Sequence, residues 1–598
     1  MAMKQWNSLT QMFFDQTTAM PDKPLLFAKK DNAWQSETWQ QVADKVTQLG
    51  AALKKMGVSK GDRVVIVSEN RPEWMVADFA IMAIGAISVP TYTTNTVRDH
   101  LHIVENSGAV AAIVSTKNLA RTFLRAAHEC DELQHTIVME PFSIEQELNV
   151  TVYDWNTVIN EQSSDIESFK AACADVQRED IACLIYTSGT GGAPKGVMLH
   201  HGSLLHNCDG ASDIIERLGL DGNAFLSFLP LSHAYEHTAG LCWPLCIGAE
   251  IWYAESIEKL AANMAEAKPT VMVVVPRLFE MLRTRITRTV QSEGGMKARM
   301  FDKAIALGVK RLQHGESLSL LEKLQDWFLS KTVRKKVQKQ FGGRLKALVS
   351  GGAPLSPDVG YFFAALGLPL LQGYGQTEAG PVVSANPPWA TKMHTVGKIF
   401  KNIEAKVADD GEILLKGEMV MKGYWRNEKA TSKTVVDGWL HTGDIGQIDE
   451  DGYLELTDRK KDIIVNDKGD NVSPQRVEGL LALEDEIAQA MIYGDKRPHM
   501  VALLVPDAEW LAGWAKANNK PAARLEKLSD DKDLHKAIDA AVSRINKRLS
   551  NIEKIRRFAL ATEAFTIENE QMTPSLKLRR HVVKEVYKDT LEALYARR

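Results

Sequence analysis

Across 598 residues the chain has no apolar run long enough to cross a bilayer. Its longest nearly apolar stretch, 79–90, carries a Gly and a Ser and falls well short of the ~20 residues a membrane helix needs. Its six cysteines, at 130, 173, 183, 208, 242 and 246, form no Cys-x-x-Cys pair. That spacing argues against a zinc ribbon or a disulfide framework and reads as reduced, mostly packed thiols. Neither sign of charge dominates: a net charge of -4 gives no global attraction to nucleic acid. No hydrophobic leader follows Met1, so the expectation is a cytoplasmic protein that stays where it is made. Repeats and low-complexity tracts are missing too, and with 45% hydrophobic and 25% charged residues neither wholesale disorder nor a fibrous architecture is expected.

A chain this long exceeds one core and should form roughly three or four compact units. Up to about residue 460, short apolar runs such as 63–67, 181–185, 271–275 and 345–349 alternate with longer mixed segments. Such runs fit buried parallel strands between helices. From 395 to 457 the texture changes to short alternating strands with the turn pairs Asp410-Gly411 and Asp451-Gly452, which predicts an antiparallel barrel. Segment 295–340 has apolar residues at three- and four-residue spacing, the mark of amphipathic helices inserted on the α/β body. The basic run 331–339 follows Trp327, Phe328 and Leu329; a solvated helix face is its commonest meaning, and an amphipathic surface on anionic lipid is the alternative. The charged stretch 458–462 precedes a new pattern of strand, helix (474–483) and strand (500–505), which marks a domain boundary.

Six clusters carry candidate chemistry. After the apolar strand at 181–185, Thr187, Ser188, Gly189, Thr190, Gly191 and Gly192 offer hydroxyls and unobstructed backbone N–H groups to a polyphosphate, with Lys195 adding positive charge. This is not the mononucleotide P-loop, which needs Gly-Lys-Ser/Thr; here Lys195 stands between Pro194 and Gly196. Alone, the loop would read as a flexible surface turn about a third of the time. Further on come Gly351, Gly352, Ala353 and Pro354; then Gln372, Gly373, Tyr374, Gly375, Thr377 and Glu378; then Gly438 to Asp444; then Asp458, Arg459, Lys460, Lys461 and Asp462; and finally Thr573 to Lys577. Separately, His233-Ala-Tyr-Glu-His237 spells H-x-x-E-H, the inverted zinc-protease pattern. A zinc site would need a third ligand from elsewhere in the chain.

In this order the six clusters resemble the signature of the adenylate-forming synthetases, over almost the whole chain. The segment 228–236, the helical insertion and 573–577 are most similar to long-chain fatty acyl-CoA synthetases. The resemblance implies an α/β plus β fold: a large domain, 1–457, of doubly wound α/β subdomains with a small β-barrel, a hinge at 458–462, and a mobile, smaller α+β domain at 463–598. It implies a ligase that converts a fatty acid and MgATP to acyl-AMP and pyrophosphate, then passes the acyl group to CoA. Tyr374 would stack on adenine beside the 351–354 turn, while Asp444 and Arg459 would hold the ribose. Glu378 would bind Mg²⁺ with Ser188, since a carboxylate beside a polyphosphate repels it unless a cation intervenes. Lys577 would reach the carboxylate and α-phosphate, Lys461 would mark the hinge, and Gly469 would let backbone approach pantetheine. His233 resembles a gate beside the acyl pocket, which displaces the zinc reading. Where the family usually carries Thr or Ser, this chain has Gly191, a loss of about 1 kcal/mol of hydrogen bonding that changes ATP affinity a few-fold. Fatty acid, ATP and CoA are the implied partners, with peripheral membrane contact and a homodimer left open. Three alternatives stand beside this reading. They are a fatty acyl-AMP ligase serving a carrier protein, a CoA ligase for another hydrophobic or aromatic acid, and a non-catalytic nucleotide-binding scaffold, against which Glu378 and Lys577 together argue.

Overall fold

In the computed structural model, which describes residues 5–141, 148–187, 193–219, 221–313, 318–520, 524–573 and 578–596, the run at 63–67 becomes the strand Arg63–Val67. Parallel strands Ile87–Thr91 and Ala109–Val114 flank it on either side. Burial along these strands is nearly continuous rather than alternating, as required of a strand covered by helices on both faces. They centre an eight-stranded sheet, toward one edge of which Lys195–His200 runs antiparallel to Ile181–Thr187. Helices Leu9–Ala19, Trp39–Lys55 and Pro72–Ala83 press Phe13, Trp39, Trp74 and Phe79 into the core below it.

A nine-stranded sheet holds Ala224–Ser227, Glu250–Tyr253, Val271–Val274, Ala347–Ser350 and Leu370–Gly375 in parallel, then turns antiparallel at Val382–Ala385. The run read at 345–349 enters the strand at Ala347, with Lys346 at the rim, its N–H on the Thr270 carbonyl at 2.7 Å and its ammonium on the Gly219 carbonyl at 3.1 Å. A five-stranded antiparallel sheet follows, in which the long strand Trp439–Ile448 pairs with Glu412–Lys416, Val435–Val436 and Leu454–Arg459. In the sequence Asp444 reads as the end of a strand-like Trp439–Thr442. Instead the strand runs through it: Gly443 takes φ +70 and the register shifts just beyond, between Ile445 and Gly446.

Among the described residues of 295–340 stand the helices Gly295–Gln313, Leu320–Leu329 and Lys335–Gln340. Ser319 and Glu322 close a reciprocal capping box on the second helix. Buried Arg334 ties the insertion down, donating to the Ala365 carbonyl at 2.6 Å and to Asp326 at 2.6 Å.

Beyond residue 460, Ile487–Tyr493, Met500–Pro506 and Ile555–Leu560 form a three-stranded sheet packed on helices Pro474–Leu481 and Lys532–Asn546. Half-exposed ion pairs join this region to the body: Arg288 to Asp507 (3.1 Å) and Glu509 (2.8 Å), and Arg548 to Asp358 (2.7 Å). Exposed pairs contribute about 0–1 kcal/mol each, so they orient the small domain without locking it. All six cysteines are buried and unpaired, and no helix among the described residues is long and apolar enough to cross a membrane.

Candidate active site

A cavity of about 1340 Å³ opens beyond the carboxyl ends of Ala347–Ser350 and Leu370–Gly375, bounded by the antiparallel sheet and by the small domain. Open α/β sheets place their ligands at such strand ends. Here chain reversal brings together clusters separated by hundreds of residues.

One corner gathers Thr187, Lys195, Thr377 and Glu378. A short segment stitches them together through the backbone: Met421 N–H donates to the Glu378 carbonyl (2.9 Å), Lys422 N–H to Met198 (3.0 Å) and Trp425 N–H to Gly196 (2.8 Å). Between them Tyr424 donates its hydroxyl to Glu378 Oε1 at 2.8 Å, and Lys195 Nζ lies 4.8 Å over its ring. Tyr424 thus orients both charged groups, and sequence reading missed it because it stands in no motif. Burial, then the neighbouring Glu378 carboxylate, raises its phenol well above the usual tyrosine range. Glu378 forms no ion pair with a described side chain, and among the described residues no group of three or more His, Cys, Asp or Glu side chains is placed to hold a metal ion. A divalent cation here fits the oxygen donor and would draw its other ligands from a polyphosphate and water.

A second wall holds Gly351, Gly352, Tyr374, Gly443 and Arg459. Asp444 and Arg459 are cross-strand partners, Arg459 Nε donating to Asp444 Oδ1 at 3.1 Å while Tyr374 donates its hydroxyl to Oδ2 at 2.5 Å. Asp444 is buried behind these two side chains. Burial works against the Arg459 charge, but Asp444 and its other anionic neighbours outweigh it and raise the guanidinium above its ordinary range. Gly351 lies against Tyr235, whose ring carbon would be 2.9 Å from any added Cβ and whose hydroxyl is fixed on the Val349 carbonyl at 2.9 Å. Gly375 is tighter still: a Cβ there would stand 1.8 Å from the Pro381 carbonyl oxygen.

The cavity continues into an apolar arm walled by Ile185, Ala211, Ile214, Ile215, Trp243 and Phe400. Trp243 is pinned by its indole N–H on Ser212 Oγ at 3.0 Å, and the Phe400 ring fills the space Gly210 leaves empty. His233 lines the cavity too, its Nδ1 accepting from the Tyr235 N–H at 3.2 Å. The other members of H-x-x-E-H do not line it: Glu236 accepts from Ser227 Oγ at 2.7 Å and His237 Nε2 meets Asp78 at 2.9 Å, all buried. Complete burial pushes the Glu236 carboxyl up to about 8 from an ordinary 4.5. Since the folded value lies above the unfolded one, the folded state binds the extra proton, and stability falls as pH rises from 4.5 towards 8. Glu236→Gln, neutral at every pH, is expected to raise the melting temperature by a margin that grows over this window. At about 1.4 kcal/mol per unit, the gain reaches roughly 3 kcal/mol near neutrality. Melting curves across pH check it; a margin independent of pH would contradict it.

Several expected site residues fall elsewhere. Ala353 and Pro354 are exposed and do not line the cavity, and Gln372 is buried in its strand. Gly469 sits at φ +87 in the turn between Ile464–Val465 and Asn471–Val472, away from the cavity, whereas Lys461 lines it. Ser188, Gly189, Thr190, Gly191, Gly192 and Lys577 lie outside the described residues. The flanks of Lys577, Thr573 and Leu578, line the cavity, as do Arg580 and Lys584.

Residues 13–425 match the model of the AMP-binding enzyme family and residues 461–598 that of the AMP-binding enzyme C-terminal domain. The chain is 34% identical over 595 residues to the long-chain-fatty-acid–CoA ligase FadD15 of Mycobacterium bovis, covering 98% of this chain and 97% of that one. It is 30% identical over 597 residues to the long-chain-fatty-acid–CoA ligase 1 of Cavia porcellus, covering 95% and 83%. Among solved structures it is similar to the A domain of the carboxylic acid reductase from Segniliparus rugosus in complex with AMP and a co-purified carboxylic acid. There the TM-score is 0.76 at 21% identity, covering 99% and 95%. The anthranilate CoA ligase AuaEII in complex with anthranoyl-AMP gives a TM-score of 0.73 at 21% identity, covering 98% of both chains. These two likenesses concern the fold alone.

Proposed function

This chain belongs to the AMP-binding enzyme family, and we infer from that membership and from the shape of the cavity that it is a long-chain fatty acid CoA ligase, as its relatives are named. A fatty carboxylate attacks the α-phosphate of MgATP to give acyl-AMP and pyrophosphate, and the thiol of CoA then displaces AMP to give acyl-CoA. The observation that carries this reading is one cavity lined both by the polar Lys195, Thr377 and Glu378 and by an apolar arm.

No enzyme nucleophile is required, so the chain's work is positioning and charge neutralisation. Gly351 and Tyr374 flank the base, Arg459 takes the ribose hydroxyls together with Asp444, which must first exchange the Tyr374 hydroxyl it now accepts, and Thr187 with Lys195 holds the polyphosphate. Glu378, joined by Ser188, would hold Mg²⁺, which when bound neutralises phosphate charge. Lys577 supplies a cation to the adenylation step alone, because it belongs to a separate domain (463–598) that turns on a hinge at 458–462, where Lys461 sits. Gly469 does not line the cavity and would serve pantetheine after that rotation. His233 stands between the nucleotide and acyl sides. Contact with a lipid surface, from which an insoluble fatty acid is drawn, belongs to the same reading.

Product analysis across acetate, octanoate, palmitate, oleate and benzoate, with and without CoA, tests this function. Palmitate- and oleate-dependent acyl-CoA is expected. At up to ~0.8 kcal/mol per buried CH₂, each two carbons removed lowers kcat/KM by up to about fifteenfold while the chain still fits the arm. Acyl-AMP accumulating despite CoA would point to a carrier-protein acceptor, and benzoate outrunning palmitate to an aryl-acid ligase.

A further inference from the structure

The helix Leu320–Leu329 is built the wrong way out for a protein in water. It exposes Leu320 (86%), Leu321 (67%), Leu324 (63%), Trp327 (60%) and Phe328 (51%), while Asp326 and Leu329 face the body. The spacing i, i+1, i+4, i+7, i+8 puts the five on one face of the helix. Met296, at 77% exposed, lies beside them on Gly295–Gln313, and a groove of about 640 Å³ runs between the two helices. Scattered exposed apolar residues need no explanation, but a continuous ridge of large ones marks a surface that something covers.

Charge decides what covers it. Residues 295–340 hold eleven Lys and Arg against four Asp and Glu, in a chain whose net charge is -4. Arg299, Lys303, Lys323, Lys331 and Lys335 are exposed and make no ion pair with a described side chain. A second copy of the chain would bring these like charges face to face. An anionic bilayer meets both features at once, with phosphates for the cations and an acyl interior for the ridge. Trp327 stands where an aromatic ring prefers the headgroup boundary. We propose that this face rests on an anionic lipid surface, with Leu321, Leu324, Trp327 and Phe328 entering the acyl boundary and the lysines lying on the headgroups. This assigns to one helix face the lipid contact that rests on the ligase reading, and vesicle binding is read without turnover, so the two can fail separately.

The full chain is sedimented with phosphatidylcholine vesicles made with and without phosphatidylglycerol. Binding is expected to the anionic vesicles, to fall as salt is raised, and to drop roughly tenfold or more in Leu324→Glu/Trp327→Glu, which removes two buried anchors. Lys331→Glu/Lys335→Glu should weaken it by about fivefold or more for each charge. Both variants should keep the wild-type melting temperature and the wild-type turnover of a water-soluble acid such as octanoate. Two outcomes overturn the proposal: wild-type protein that ignores anionic vesicles, or a ridge variant that binds them as well as wild type. Light scattering that shows a wild-type dimer, dissociated by the ridge variant and indifferent to vesicles, would assign the face to self-association instead.

Discussion

Lys577→Ala is expected to slow acyl-adenylate formation by about 10²-fold or more while leaving thioester formation from supplied acyl-AMP near its wild-type rate. Removing one preorganised charge contact from a transition state costs on that scale, and attack of a carboxylate on phosphorus gathers negative charge that a cation relieves. Two cations near it in sequence already have partners. Arg580 lines the cavity but is committed to Glu478, its Nη1 donating to Oε1 at 2.7 Å, and Lys584 lies 5.1 Å over the Tyr493 ring. Separate assays of the two half-reactions read the split. Equal loss in both would contradict a lysine that serves one domain orientation and would indicate damage to the fold.

Glu378→Gln is the second large effect. The amide keeps the side-chain volume and an oxygen for the Tyr424 hydroxyl, which now donates to Oε1 at 2.8 Å, so the fold and melting temperature should hold. What it removes is the negative charge that, in the proposed function, would hold Mg²⁺ beside the polyphosphate. A loss of about 10² in kcat/KM for ATP is expected, the scale of one lost electrostatic contact, with part of it recovered at raised Mg²⁺. Glu378→Ala should lose more, because it also leaves Tyr424 without that acceptor. A Glu378→Gln enzyme with wild-type kinetics would remove Glu378 from the metal site.

How far the sequence reveals this arrangement depends on whether the determinant is local. The strand at 63–67 is legible because burial on both faces writes an unbroken apolar run. Asp444 and Arg459 are each visible in a motif, yet their pairing as cross-strand neighbours is not, since the chain must pass through the whole of Trp439–Ile448 and turn back to create it. Tyr424 is invisible altogether: its place depends on Gly423–Tyr424 pairing with Val197 and Met198, more than two hundred residues away. Motif runs also overcount. Ala353 and Pro354 carry the chain away from Gly351 and Gly352 after the strand, and only the glycines line the cavity. For Leu320–Leu329 the apolar periodicity establishes that a face exists but not which way it points; that is settled by Arg334 anchoring the opposite side through Asp326.

The most direct measurement is exchange of labelled pyrophosphate into ATP with palmitate present and CoA left out. An adenylate-forming ligase should show exchange that depends on palmitate, falls away in Lys577→Ala, and gives way to palmitoyl-CoA when CoA is added. Exchange that proceeds without any acid, or acyl-CoA formed with no exchange in the absence of CoA, would contradict a reaction that passes through acyl-AMP.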